Sequence, residues 1–298
     1  MTVMDTRDVP RLLFVHAHPD DESLATGLAL AHHSRAGHEV HVLTATLGEE
    51  GEVIPPELAH LAADRDDTLG PHRREELRAA MAALGVRHRV LGEDPAAGVL
   101  SRYRDSGMVG SPSASNPRAW VNADPQEAVA LVRAVVEEIA PDVVVTYDAQ
   151  GGYSHPDHIQ VHRIVCVALA GMSTPPALFA AVTPRTWAQE DRAWVRDHPE
   201  LRGAWTVPAP TDPYPPSVVD DALVTHAVID PDALADQVAA LREHVTQVTV
   251  GDGVYALSND IAARLSGREG YALLDPRTGA LRPAAPAGPA RLGLLDVE

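Results

Sequence analysis

Seven consecutive residues, His16-Ala17-His18-Pro19-Asp20-Asp21-Glu22, bring two imidazoles and three carboxylates together directly after the apolar run Leu12-Leu13-Phe14-Val15. In an open parallel sheet the carboxyl ends of the strands form the ligand crevice, so a turn placed there presents its side chains to a substrate. His18 and Asp21 are donors suited to a borderline dication such as zinc, and Pro19 stiffens the loop between them. Asp20 is free to face the other way, and a carboxylate beside a metal-held water is a natural general base. The same residues also read as a helix-capping loop, since Asp and Ser favour N-caps and acidic side chains suit a helix N-terminus. On this segment alone the two readings stand level.

A second cluster favours the chemical one. Residues Asp142 to Tyr147 read as another buried strand, and they run into Asp148-Ala149-Gln150-Gly151-Gly152-Tyr153-Ser154-His155-Pro156-Asp157-His158. If both strands belong to one parallel sheet, their C-terminal loops share an edge, and His158 completes a site begun by His18 and Asp21. Three protein ligands with one open position is the arrangement of a catalytic zinc site. A structural site would be closed by four ligands, usually including Cys, and the chain has one cysteine, Cys166. His162, one turn beyond His158, is a rival ligand by i, i+4 spacing. His16 is another, although alternation along the strand points it away from His18.

The elements that must position these turns follow an alternating pattern. Arg11 to Ala17 is predicted as a strand, Ser23 as the cap of a helix ending at Ala36 and Gly37, and Glu39 to Ala45 as a second strand. A helix over 71–84, a short strand over 87–91, a helix opened by Asp124-Pro125 and running to Ala140, and a helix over 157–171 continue the series. The predicted fold class is α/β, a Rossmann-like and mainly parallel sheet flanked by helices. His-Pro-Asp-Asp-Glu stands where a dinucleotide fold carries Gly-x-Gly-x-x-Gly, which disfavours a nicotinamide cofactor. Gly48 to Val53 either lines the crevice or is a solvated acidic loop. Residues 92–119 lack periodicity, and a long loop of this kind inside a compact domain is either functional or disordered.

Past Ser173 prolines accumulate, and the texture predicts a division into a catalytic domain over 1–171 and a smaller irregular subdomain over 172–298 that walls the cleft. Within the latter, a helical patch over 184–197 carries Trp187 and Trp194 as core or cleft wall. A strand over 223–229 and a helix from Pro231 to about Val245 are expected to bring residues 230–260 back onto the main domain. The Pro/Ala-rich stretch Pro283 to Pro289 reads as loose.

Composition narrows the partners. The 298 residues, 45% hydrophobic, can bury a sizeable core. Acidic residues outnumber basic ones 42 to 24, a formal charge of −18, which disfavours nucleic acid and anionic membrane surfaces and suits a neutral or cationic small substrate. The basic residues are all arginine, so Schiff-base chemistry and a P-loop are excluded. Cys166 lies in an apolar helical run and reads as a core residue. The first ten residues lack a signal-peptide core and no apolar run reaches membrane-spanning length, so a soluble, cytoplasmic protein is expected.

The two His/Asp motifs resemble the signature of the LmbE/PIG-L family of zinc-dependent N-deacetylases, which act on N-acetylglucosaminyl conjugates. Thr46 to Ile54, Tyr103 to Met108, Val145 to Asp148, Gly151 to His158, His244 to Gln247 and Ala256 to Asn259 are similar to its mycothiol-pathway deacetylase branch. The likeness spans about Arg11 to Asp260, and its Tyr103 to Met108 part implies that the loop over 92–119 is a substrate lid. It implies one zinc per subunit on His18, Asp21 and His158, with Fe(II), Co(II) or Mn(II) as alternatives for such a donor set. It further implies Asp20 as general base, His155 as oxyanion stabiliser and Tyr153 as a mobile second donor. Arg73 and Asp105 match positions that hold sugar and inositol hydroxyls, with Glu52 assisting. The implied substrate is N-acetyl-glucosaminyl-inositol. A mycothiol S-conjugate amidase and a non-catalytic, metal-dependent sugar-binding protein are the alternatives. Asp20 and His155 count against the last, since binding alone needs no base. Oligomeric state is not legible.

Overall fold

The computed structural model describes residues 9–282 and 290–297, so the Pro283 to Pro289 stretch and the first eight residues lie outside the described residues. Five strands, β1 (Arg11–His16), β2 (Glu39–Thr44), β3 (Arg87–Val90), β4 (Val143–Tyr147) and β5 (Ala177–Pro184), pair in parallel in the order β3-β2-β1-β4-β5. The chain builds outward from β1 through β2 to β3, then crosses back to place β4 on the other side of β1. Phe14 therefore pairs with Val42 on one flank and Val145 on the other. The order reverses between β1 and β4, which is where an open α/β sheet opens a crevice at its carboxyl edge. The turns after these two strands are the two His/Asp motifs.

Side-chain alternation divides β1 between two cores. Leu13 and Val15 face α4 (Pro125–Ile139) and α6 (Pro156–Ala170), packing with Val132, Val136, Val161 and Val165. Leu12 and Phe14 face α2 (Gly27–Arg35) and α3 (Leu69–Leu84), packing with Leu28, Leu30, Leu77 and Met81. Each such fully buried Leu or Phe contributes roughly 1.5–3 kcal/mol. Asp124 caps α4, its carboxylate accepting from the amides of Gln126 at 2.7 Å and Glu127 at 3.3 Å.

The helix expected to start at Ser23 begins earlier and is broken. A short α1 (Asp21–Ala25) ends at Thr26, whose φ of −142° is non-helical, and α2 resumes at Gly27. Ser23 is no cap because its hydroxyl donates to Glu22 Oε1, while the Thr26 hydroxyl draws on the Glu22 carbonyl.

The main sheet also runs past the division expected near residue 171. β6 (Val218–Val219) pairs with β5, and β7 (His226–Ile229), β11 (Arg268–Leu274) and β12 (Arg291–Leu292) extend it as β12-β7-β11-β5. What stands apart is a three-stranded antiparallel sheet of β8 (Thr249–Val250), β9 (Val254–Ala256) and β10 (Ala263–Arg264), packed with α7 (Arg185–Arg196). Trp194 belongs to its small core with Val195, Leu201 and Val254. Helix α8 (Leu234–Glu243) returns to the main body and packs on α2 and α3. Among the described residues no helix is long and apolar enough to cross a membrane.

Candidate metal centre and active site

The turn after β1 rests on one unusual backbone conformation. Asp20 has φ 98° and ψ −37°, a left-handed geometry costing a non-glycine residue about 1–3 kcal/mol unless its surroundings enforce it. Its carbonyl accepts from the amides of Ser23 and Leu24, starting α1, and its own amide donates to Glu22 Oε2 at 3.0 Å. This kink separates the two adjacent carboxylates. Asp21 turns toward His18 and His158, whereas Asp20 Oδ2 lies 3.3 Å from Arg73 Nη2.

Three donor atoms form a nearly equilateral triangle. His18 Nδ1 lies 3.4 Å from Asp21 Oδ2 and 3.3 Å from His158 Nε2, and the third edge, His158 Nε2 to Asp21 Oδ2, is 3.3 Å. A tetrahedral centre with ligand bonds of about 2.0–2.1 Å spaces its donors by about 3.3–3.4 Å. The donor set of two imidazoles and one carboxylate suits zinc and its divalent neighbours. Two wider sets also bring donor atoms within 4.8 Å of one another, His18 with His155 and His158, and His18 with Asp105 and Asp157. The tight triangle is the better cradle because its edges match a single coordination sphere.

The second set has a different use. Asp105 Oδ1 and Asp157 Oδ2 lie 3.4 and 3.3 Å from His18 Nε2, the ring nitrogen turned away from the triangle. A carboxylate behind a ligating imidazole fixes its tautomer and raises its basicity. Burial acts to raise the Asp105 carboxyl, but the adjacent His18 imidazole holds it well below the usual carboxylate range. Asp21 behaves likewise: burial opposes its ionisation, and His158 and His18 together hold it well below that range. The Tyr147 hydroxyl donates to Asp21 Oδ2 at 2.7 Å and accepts the Ala17 amide at 2.8 Å, while its ring stacks on His158 at 4.2 Å.

His155 opens α6. Its Nδ1 accepts the Asp157 amide at 3.2 Å, and burial, with His18 and His158 nearby, pushes its pKa down to about 3. A neutral ring with Nδ1 so engaged carries its proton on Nε2. Its centroid lies 4.8 Å from that of His18 and 4.9 Å from that of His158. Tyr153 sits at the mouth, 49% exposed and edge-on to both His155 and His158. On either side of it the backbone takes positive φ, at Gly152 (φ 73°), where glycine permits it, and at Ser154 (φ 71°), where a side chain makes it costly. Burial pushes the Asp20 carboxyl up to about 7, with Arg73 pulling it down and Asp21 pushing it further up.

The remaining residues expected at the site divide. Arg73 is 3% exposed; besides Asp20 it donates to the carbonyls of Pro19 and Gly48. Gly48, at φ 63°, lies so close under the Arg73 guanidinium that a Cβ there would collide with it. Asp105 is buried beside the triangle. Glu52 is exposed, and its carbonyl accepts from Gln247 Nε2 at 3.2 Å. In the same loop Glu49 is buried and accepts the Asp105 amide at 3.0 Å, so the loop is part crevice and part solvated face. The expected lid is packed down at Ser101, Tyr103, Asp105 and Ser106, while residues 94–99 and 108–110 of the same loop are exposed. His162 donates through Nδ1 to the Tyr147 carbonyl at 2.8 Å, and His16 pairs with Thr26 Oγ1 at 3.0 Å, so neither rival is a corner of the triangle. No role is assigned above to Tyr147, Glu22 or His244, although Tyr147, a hydroxyl-bearing aromatic at the last position of a buried strand, is a usable signal.

Residues 13–169 match the family described as PIG-L: GlcNAc-PI de-N-acetylase. Over 281 residues the chain is 47% identical to the 1D-myo-inositol 2-acetamido-2-deoxy-alpha-D-glucopyranoside deacetylase of Actinosynnema mirum, covering 92% of this chain and 95% of that protein. It is 46% identical over 301 residues to the protein of the same name from Thermobispora bispora, covering 97% of each. Among solved structures, the zinc-inhibited form of teicoplanin deacetylase Orf2 aligns with a TM-score of 0.49 at 18% identity, covering 89% of this chain and 99% of that one.

Proposed function

The chain belongs to the PIG-L family of GlcNAc-PI de-N-acetylases, and on that premise we propose that it is a zinc-dependent N-deacetylase. In this reading it hydrolyses 1D-myo-inositol 2-acetamido-2-deoxy-α-D-glucopyranoside to acetate and the free glucosaminyl-inositol. The relatives named for this reaction match over more than nine-tenths of the chain, which favours it over the amidase and the non-catalytic alternatives. The assignment carries with it a cytoplasmic location and a step in mycothiol biosynthesis.

The observation that carries the chemistry is the His18, Asp21 and His158 triangle with a separate carboxylate, Asp20, turned out of it by the backbone. These three residues would hold the metal. A dication there supplies Lewis-acid polarisation of the amide carbonyl and acidifies the attacking water. Asp20 takes the proton from that water as the carbon–oxygen bond forms, and returns it to the leaving nitrogen as the carbon–nitrogen bond breaks. His155 donates its Nε2 proton in a hydrogen bond to the developing oxyanion, and Tyr153 swings in from the mouth as a second donor. Arg73 anchors the Asp20 carboxylate through one arm, which leaves sugar and inositol hydroxyls to Asp105, the loop around Glu52 and whatever reach Arg73 retains. Each polyol hydroxyl buried without a partner costs about 1–3 kcal/mol, so convergent polar groups are what such a substrate requires.

The test is incubation of the zinc-loaded protein with N-acetyl-glucosaminyl-inositol and, separately, a mycothiol S-conjugate, assaying new primary amine. Release of amine from the first at a rate well above that from the second is expected. Preference for the conjugate, or no release from either, would overturn the reading.

A further inference from the structure

We propose that His244, acting through Glu22, is a positioning residue for Asp20. The inference rests on Asp20 being the general base. Glu22 and His244 are both fully buried, and although 222 positions apart they meet with His244 Nε2 2.8 Å from Glu22 Oε1. The Ser23 hydroxyl donates to the same oxygen at 2.6 Å. The other glutamate oxygen, Oε2, accepts the Asp20 amide at 3.0 Å. That bond is the contact that holds Asp20 from its amino side in the left-handed conformation, and so sends its carboxylate toward Arg73 while Asp21 turns to the triangle. If Glu22 turns away, the amide loses its acceptor and the two carboxylates are free to relax toward one another.

The imidazole is itself immobilised. His244 follows α8, its amide bonded to the Leu241 carbonyl at 3.2 Å. Two residues on, the Thr246 amide and hydroxyl donate to Glu76 at 2.8 and 2.7 Å, and the Thr246 carbonyl accepts the Ile54 amide at 2.9 Å. Among the described residues the ring's other nitrogen, Nδ1, is buried without a partner, and Glu22 and Ser23 are the groups its polar atoms reach. A buried imidazole–carboxylate pair is weak evidence for stability, because apolar side chains of similar volume often replace such a pair at no cost. What this pair supplies that an apolar pair would not is a fixed acceptor under a strained amide.

The experiment uses the zinc-loaded enzyme. Glu22→Met combined with His244→Leu removes both polar groups and keeps the volume, and His244→Gln offers an amide nitrogen near the place of Nε2. We measure melting temperature, zinc content, kcat and KM, each in the native and in an Asp20→Asn background. The paired replacement is expected to retain zinc and lower kcat by roughly ten- to a hundredfold, since a misplacement of about 1 Å costs on the order of 10²-fold. KM is expected to stay within about twofold, because the change acts on the base and not on binding. In the Asp20→Asn background the same replacement should alter the residual rate by less than about threefold, and His244→Gln alone should keep kcat near the native value. Native kcat in the paired variant, or an equal loss with and without Asp20, would overturn the proposal. Should the paired variant not fold, His244→Gln is compared with His244→Asn, whose nitrogen falls short of Glu22; equal kcat in the two overturns it as well. An Asp20→Asn enzyme with native turnover would instead remove the base assignment on which the inference stands.

Discussion

Tyr147→Phe removes one oxygen from the floor of the site and leaves everything else in place. The hydroxyl joins the Ala17 amide at 2.8 Å to Asp21 Oδ2 at 2.7 Å, while the ring stacks on His158 at 4.2 Å. Ala17 is fully buried, so its amide would be left without a partner, at a cost of about 1–3 kcal/mol. The lost bond to an ionised carboxylate adds roughly 1.5–3 kcal/mol. The two overlap because one group serves both, and we expect a net destabilisation of about 2–4 kcal/mol in the metal-free protein. The second consequence is at the triangle: an outer partner that orients a ligand typically holds about 10- to 100-fold in metal affinity. Denaturant unfolding of metal-free protein measures the first effect, and zinc competition against a chromophoric chelator measures the second. Stability within about 0.5 kcal/mol of native, the scatter of an ordinary surface change, together with unchanged zinc affinity, would refute the claim that this hydroxyl braces Asp21.

Two further outcomes separate adjacent roles. Asp20→Asn should keep its zinc and lose about 10²- to 10⁴-fold in rate, as loss of a general base does, whereas Asp21→Asn should purify with sharply reduced zinc; full zinc in the Asp21 variant, or near-native turnover in the Asp20 variant, reverses the assignment. Gly48→Ala places a methyl at a positive φ, worth about 1–2 kcal/mol, and drives it into the Arg73 guanidinium, so both melting temperature and kcat should fall; an unchanged kcat would mean Arg73 does not hold Asp20.

Much of the site was legible because its two halves are local. Each His/Asp turn follows a short, unbroken apolar strand, and alternating strands and helices imply that both turns share one edge. The α4 start was equally readable, since Asp124-Pro125 is a cap with a mechanism of its own. What sequence could not show depends on register. Tyr147 matters because β1 and β4 are neighbours, which brings its hydroxyl to Ala17 and Asp21. His244 matters because α8 packs on α2 and α3, a fact of tertiary structure alone. The continuation of the main sheet past residue 171 was not legible at β5, whose alanine-rich Ala177-Leu-Phe-Ala-Ala-Val-Thr-Pro lies among prolines and lacks the β-branched density that marks a strand. The break at Thr26 was hidden because the polar side chains around it look like one cap and are instead committed to one another.

The start of α6 shows why a histidine stands where a better cap is available. Asp, Asn, Ser and Thr are the favoured N-caps, yet His155 takes that place and accepts the Asp157 amide with Nδ1. An aspartate there would hold the helix end at least as well. It would also place a further negative charge beside Asp21, Asp105 and Asp157, and in its ionised form it would have no proton to offer. The imidazole meets both demands with different atoms, because capping engages Nδ1 and leaves the proton on Nε2. Three residues on, in the first turn of the same helix, His158 supplies a corner of the triangle. The helix N-terminus thus places a candidate ligand and a hydrogen-bond donor at a fixed spacing, and the capping bond sets which nitrogen of His155 can donate.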